Sequence, residues 1–317
     1  MRPGWPALWV AVLLAVAGAA PFALSDFHVF QASQFLVYAV AILGLNLLTG
    51  WNGQISLGHG AFYAIGAYTT AILMDKAGLP FWATVPIAGA VCFGVGYLFG
   101  LPALRLEGLY LALATFALAV ATPQILKLDV LERWTGGVQG CSVAKPDSDL
   151  GLYYFCLAVA VALYLAAWNL VHGRTGRAIV AIRDHPIAAA TMGIDVARYK
   201  TTTFAISAMY VGVAGALGAL VAGFVSPDSF TIMLSINFLV GVVIGGIASI
   251  FGTLFGAAFI ELVPSLTDKI SDAAPWAVYG AVLIGTLMLM PTGAAGFIRA
   301  IVKRSRTWRE RHRSSSP

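Results

Sequence analysis

The sequence predicts an all-α fold: a polytopic transmembrane helical bundle of about ten spans. Three observations predict it. Hydrophobic residues make up 59% of the 317 and charged residues only 10%, where soluble domains run near about 25% charged. Apolar runs of about 20 residues, the length a helix needs to cross a bilayer, recur along the chain. Lys and Arg gather at two places, as in loops held on one side of a membrane.

Residues 7–24 form the first span, behind Arg2. Ala7 to Ala20 with its small-residue end also fits a cleaved leader, but the run continues through Phe22 and Leu24, and Pro21 sits awkwardly for cleavage. Spans follow at 33–49, 55–74, 82–100 and 108–126, with Arg105 and Glu107 pairing at the edge of the last. After a polar loop, 127–149, comes 150–171, then a charged segment, 172–200, then 202–223. The runs 234–250 and 252–266 meet at Gly252 and Gly256, a tight turn or a broken, re-entrant pair. The last span is 275–291. The chain thus divides into a transmembrane domain, 1–298, and a basic tail, 299–317.

Twelve of the 19 cations fall in two segments. Arg174, Arg177, Arg183, Arg198 and Lys200 lie in 172–200; Arg299, Lys303, Arg304, Arg306, Arg309, Arg311 and Arg313 lie in the tail. Both segments belong in the cytoplasm, and four spans, an even number, separate them. Arg2 places the N-terminus on the same side. Both termini are therefore expected to be cytoplasmic. The opposite loops, around Asp26, Asp228 and Asp268, are net acidic. The formal charge of +5 is a topology signal and leaves no nucleic-acid footprint. Small residues recur every four positions at Gly215, Ala219 and Gly223, at Gly241 and Gly245, and at Gly252 and Gly256; that spacing lets helix backbones touch in lipid.

The stretch GWNGQISLGHGAFYAIGAY, Gly50 to Tyr68, sets glycines and polar side chains inside an apolar region. Irregular backbone at membrane depth survives only against protein or a watery cavity. Asn52, Gln54, Ser56 and His59 therefore either face a solute pathway or satisfy freed backbone groups in a structural turn. Glu261 is the one acid deep in an apolar run, LFGAAFIELVPSL, and is a candidate intramembrane charge or a packing residue near the outer face. In Gly173 to Lys200, Pro186 can open a helix and Gly193 can close one. The short amphipathic helix between them, flanked by Arg183 and Arg198, suits docking into a groove on a soluble partner or lying on the membrane. No metal-ligand spacing, nucleophile arrangement or GxxxxGK[ST] loop is present, and Cys92, Cys141 and Cys156 make no disulfide framework. The expectation is a chain without cofactor or catalytic residues of its own; if it pumps with ATP, another chain holds the ATP.

The run LNLLTGWNGQISLGHGAFYAIGAYTTAIL resembles the signature of the high-affinity branched-chain amino-acid permeases of bacterial ABC importers, the LivM type. RLEGLYLALATFALA, TGGVQG and GRAIVAIRDHPIAAATMGIDVARYKTTTFAISAMYVGVAGALGAL are similar to further family stretches. Together they cover about residues 40 to 295. The resemblance implies ABC importer permease architecture, alternating access, and four kinds of partner: a second permease subunit, two cytoplasmic P-loop ATPase subunits, a periplasmic solute-binding protein and the lipid bilayer. It also implies that Arg183, Asp184, Ala188, Ala189 and Gly193 belong to an ATPase-coupling loop. Urea and short-amide permeases share the signature, so it does not fix the solute. A stand-alone secondary carrier using Glu261 or His59 is the alternative outside this family.

Overall fold

The computed structural model of the chain describes residues 17–19, 21, 25–103, 106, 108–146, 148–270, 275–289 and 293–297. Helix α1, Asp26–Asn46, runs into a π-helical turn, Leu47–Trp51. Then come α2 His59–Ala77, α3 Phe81–Ala103, α4 Leu109–Leu126 and the short α5 Asp129–Thr135. Strand β1, Cys141–Ser142, precedes α6 Asp149–His172, α7 Arg174–Asp184, α8 Pro186–Thr191 and α9 Val196–Ala222. Strand β2, Phe224–Val225, leads to α10 Ile232–Gly245, α11 Gly252–Ile270 and α12 Pro275–Leu289.

Six helices among the described residues are long and apolar enough to cross a membrane, against about ten spans expected. They are Asp26–Trp51, Phe81–Pro102, Leu109–Leu126, Asp149–His172, Val196–Ala222 and Pro227–Gly245, and Gly252–Ser265 is a shorter apolar helix. The difference has physical reasons. The expected span 55–74 starts only at His59, and α2 carries a histidine, two glycines, Tyr63, Tyr68, Thr69 and Thr70, which suit a helix walled in by protein more than one facing lipid. The expected 7–24, Arg105, Glu107 and the tail 299–317 lie largely or wholly outside the described residues. The all-α expectation needs one small amendment. β1 and β2 pair antiparallel, Cys141 with Val225 and Ser142 with Phe224, clasping the 127–149 loop to the end of α9.

Helix α9 is the hub, buried nearly throughout and packed on α1, α2 and α3. The Asp195 carboxylate caps its start by accepting from the Arg198 amide at 3.0 Å. Gly223 ends it in a left-handed conformation (φ +71°), and the Lys145 side chain lies in the space a Cβ would take. Small residues make the close approaches. A Cβ at Gly66 of α2 would strike the Gly212 carbonyl of α9, and one at Gly215 would strike the Tyr63 carbonyl. The same holds for α10 and α11: Gly245 meets Gly252, and Gly241 meets Gly256. These pairs make the two helices an antiparallel hairpin whose turn, 246–251, includes Gly246 (φ +112°) and Ala248 (φ +56°).

Candidate functional site

The turn between α1 and α2 and the segment α7–α8 sit together at one end of the bundle. Both are positioned from the core outward. Asn46, fully buried, donates to the carbonyls of Ser249 (3.1 Å) and Gly246 (3.4 Å) and accepts from the Ala248 amide (3.0 Å). One side chain thereby fastens the end of α1 to the α10–α11 turn. Gly50 lies directly over it, where a Cβ would collide with the Asn46 Oδ1.

Beyond the π-helical turn the chain is irregular from Asn52 to Gly58, and its polar side chains account for the freed backbone. Thr49 Oγ1 donates to the Gln54 carbonyl at 3.2 Å, and the Gln54 amide donates to the Leu48 carbonyl at 3.3 Å. The Leu57 amide donates to Thr115 Oγ1 of α4 at 3.0 Å, the Gly58 amide to Ser56 Oγ at 3.3 Å, and the Gly60 amide to Ser235 Oγ of α10 at 2.8 Å. An amide left unpaired here would cost about 1–3 kcal/mol, so the turn is held by α4, α9 and α10 together.

The structure separates the four predicted pathway residues into two pairs. Ser56 and His59 are fully buried in the helix core. Ser56 Oγ lies 2.9 Å from His59 Nδ1, His59 Nε2 lies 2.7 Å from Ser207 Oγ, and Ser207 Oγ donates to the Gly44 carbonyl at 2.6 Å. Because Ser207 gives its proton to Gly44, it accepts from His59 Nε2–H. In the neutral tautomer with the proton on Nε2, His59 Nδ1 accepts from Ser56 Oγ. Asn52 and Gln54 lie nearer the α7–α8 end. Asn52 Nδ2 donates to Gln54 Oε1 at 2.9 Å, both residues are buried, and Asn52 Oδ1 has no partner.

Arg183 joins this turn to the charged segment. Its Nη1 donates to the Gly50 carbonyl at 3.0 Å, while Nε and Nη2 hold Asp184 Oδ1 at 2.9 Å. Its stem crosses Gly53, whose left-handed backbone (φ +73°) and missing Cβ make the room. Helix α7 buries Gly176, Ile179 and Ile182. Pro186 opens α8, and Gly193 (φ +81°) closes it as the residues foretell. Of the predicted docking residues, Ala189 points inward and Ala188 outward. Ile187 on α8 and Met192 at its C-cap are the most exposed apolar side chains here, each 82% exposed. Glu261 lies far from this site, half-buried on α11, and among the described residues no salt bridge reaches it.

Sequence reasoning also missed Asn46, Thr115, Ser207 and Ser235. Each is a polar residue in an apolar run. For Asn46 the signal was there: it stands four residues before Gly50, on the same helix face.

The apolar helices around a buried hub and an amphipathic charged segment at one end define a multi-pass membrane protein. The chain belongs to a known family: residues 28–291 match the model described as "Branched-chain amino acid transport system / permease component". It is 35% identical over 314 residues to the high-affinity branched-chain amino acid transport system permease protein LivM of Salmonella typhimurium, covering 89% of this chain and 72% of that one. The Escherichia coli K12 LivM is as similar, at the same identity and coverage. The Escherichia coli K12 permease LivH is 24% identical over 288 residues, covering 82% of this chain and 91% of LivH.

Proposed function

We propose that the chain is the transmembrane permease subunit of an ATP-driven importer for branched-chain amino acids. The LivM relationship, 35% identity along 89% of the chain, carries the assignment. The likeness to LivH as well supports a core of two related permease chains. Two ATPase subunits and a periplasmic binding protein complete the assembly. The clustered cations at 172–200 and 299–317 orient both termini to the cytoplasm.

In this assembly Ile187 and Met192 enter a groove on an ATPase subunit. When ATP closes the ATPases, α7 and α8 move with them. Arg183 passes the movement to the Gly50 carbonyl, and so to α1 and, through Asn46, to the α10–α11 turn. The bundle reopens outward to accept solute from the binding protein. Asn52 and Gln54 supply polar contacts along the passage; Ser56 and His59 brace its wall.

The test is reconstitution. Proteoliposomes holding this chain with its companion permease, ATPases and binding protein should take up leucine only with ATP inside the ATPase compartment. Uptake by this chain alone on an ion gradient would overturn the assignment.

A further inference from the structure

A cavity of about 150 Å³ opens at the end of the bundle away from the coupling segment. Helix α9 starts beside that segment and runs 27 residues, about 40 Å, and its last turns give the cavity Gly218, Ala219 and Ala222. Ala222, Phe224 and Ser229 at the mouth are exposed. The depth is aromatic. Tyr38, Tyr63 and Phe230 line it, and the Tyr63 and Phe230 rings stand 6.0 Å apart. The Tyr63 hydroxyl reaches over Gly218, into the space a Cβ would take, and makes no hydrogen bond among the described residues. Unlike the unpaired Tyr68 hydroxyl, which is sealed inside the protein, it is reachable from the cavity. A carboxylate stands behind these rings. Glu261 lies on α11, which packs on α1; it is half-buried, and its charge is felt at both the Tyr38 and Tyr63 hydroxyls. Among the described residues no salt bridge or hydrogen bond holds it.

An acid without a counter-ion in an apolar bundle is costly and marks a place for a cation. Aromatic rings attract an ammonium across their faces, and a phenol oxygen accepts its N–H. The remaining wall, Ala67, Val225 and Leu234, is aliphatic. Sites for whole small molecules run from about 300 Å³ upward, so this smaller cavity suits one polar head with a short aliphatic chain and excludes a peptide. We propose that this cavity receives the solute as a single aliphatic α-amino acid, its ammonium at the Tyr38 and Tyr63 hydroxyls within the field of Glu261, its side chain against Val225 and Leu234, and its carboxylate toward the mouth. Glu261 thereby sets specificity, by disfavouring solutes that lack the positive head. Lys145, whose stem covers Gly223 beside the mouth, is exposed, and a solvated ammonium adds little to the binding of a carboxylate. Recognition therefore falls to the ammonium end. The proposal rests on the branched-chain amino-acid assignment and deepens it by naming the residues that meet the solute first.

Calorimetric titration of the assembled complex in lipid nanodiscs, without binding protein, tests this with L-leucine as the probe. One saturable site per copy of this chain is expected. Isopentylamine, which keeps the ammonium and the side chain but lacks the carboxylate, should bind about as tightly as leucine. The acid 4-methylpentanoate, which lacks the ammonium, should bind at least about tenfold more weakly, the loss of one charge-assisted contact. These comparisons use the unaltered complex and are independent of any folding defect. Glu261→Gln should weaken leucine about tenfold or more and erase its advantage over 4-methylpentanoate, while Glu261→Asp keeps part of that advantage. A merely structural role for Glu261 would leave this ratio unmoved. Ala222→Trp, at the exposed mouth, should block leucine without disturbing the packed helices. No saturable binding, 4-methylpentanoate bound as well as leucine by the unaltered complex, leucine binding that ignores Ala222→Trp, or a leucine preference that survives Glu261→Gln overturns the site. If ATP-driven leucine uptake persists in that event, the site alone falls; if the complex carries no branched-chain amino acid, the transport assignment falls with it.

Discussion

The Arg183 guanidinium donates to the Gly50 carbonyl across 3.0 Å, joining residues 133 positions apart in the chain. Arg183 ends α7, and Gly50 lies in the π-helical turn that ends α1. The contact ties the α7–α8 segment to the end of α1 by a single hydrogen bond. Arg183→Ala should cut ATP-driven uptake about tenfold or more, the value of a hydrogen bond from a charged donor, while the complex still assembles. Arg183→Lys should recover only part, because an ammonium cannot hold Asp184 and Gly50 with one planar fork. Uptake assays beside ATPase assays check both.

The exposed face of α8 makes a separate prediction. Ile187→Glu or Met192→Glu should release the ATPase subunits on purification without unfolding the chain, since both side chains are 82% exposed. Ala189→Glu should behave differently and destabilise the segment itself, because Ala189 is 4% exposed. Co-purification followed by gel filtration separates the two outcomes.

His59 is expected to act in stability. His59→Ala removes the link between Ser56 and Ser207 and should cost about 2–4 kcal/mol, the sum of lost hydrogen bonds and a cavity. Thermal unfolding in detergent reads this. A variant with unchanged melting but no transport would make His59 a passage residue instead.

Asn46→Leu leaves the Ala248 amide and the Gly246 and Ser249 carbonyls without their side-chain partner. The expected cost is about 1–3 kcal/mol for each group left dry, and the same melting experiment should rank this variant among the least stable.

Gly256→Val should abolish assembly of the α10–α11 hairpin, since its Cβ would strike the Gly241 backbone. Gly94→Ala serves as the control. No atom lies within 4 Å of a Cβ there, and exchanging glycine for alanine in a helix gains about 0.5–1 kcal/mol. Membrane expression levels of the two variants should diverge.

Much of this could be read along the chain. Apolar runs announced α3, α4, α6 and α9. Pro186 and Gly193 bounded α8, and the glycines at 241, 245, 252 and 256 marked a close helix pair. These are local signals: hydropathy, backbone freedom and spacing act within a few turns. Helix α2 is apolar enough to be read as a span yet packs polar residues inside the bundle around His59, Gly66 and Tyr68, and it is not one of the six long apolar helices among the described residues.

The sequence by itself determined the class of the protein, a helical multi-pass membrane protein with one amphipathic charged segment, since bilayer thickness and backbone hydrogen bonding leave few ways to bury such a chain. Only the tertiary structure decided what the polar residues of Gly50 to Tyr68 do. Ser56 and His59 became a brace to Ser207, Gly50 the acceptor for Arg183, and Asn52 and Tyr68 were each left with a buried oxygen that no other group meets. Their partners stand more than a hundred residues away, and a hydrogen bond needs its atoms within about 3 Å, a condition that helix packing sets and residue spacing along the chain does not reveal.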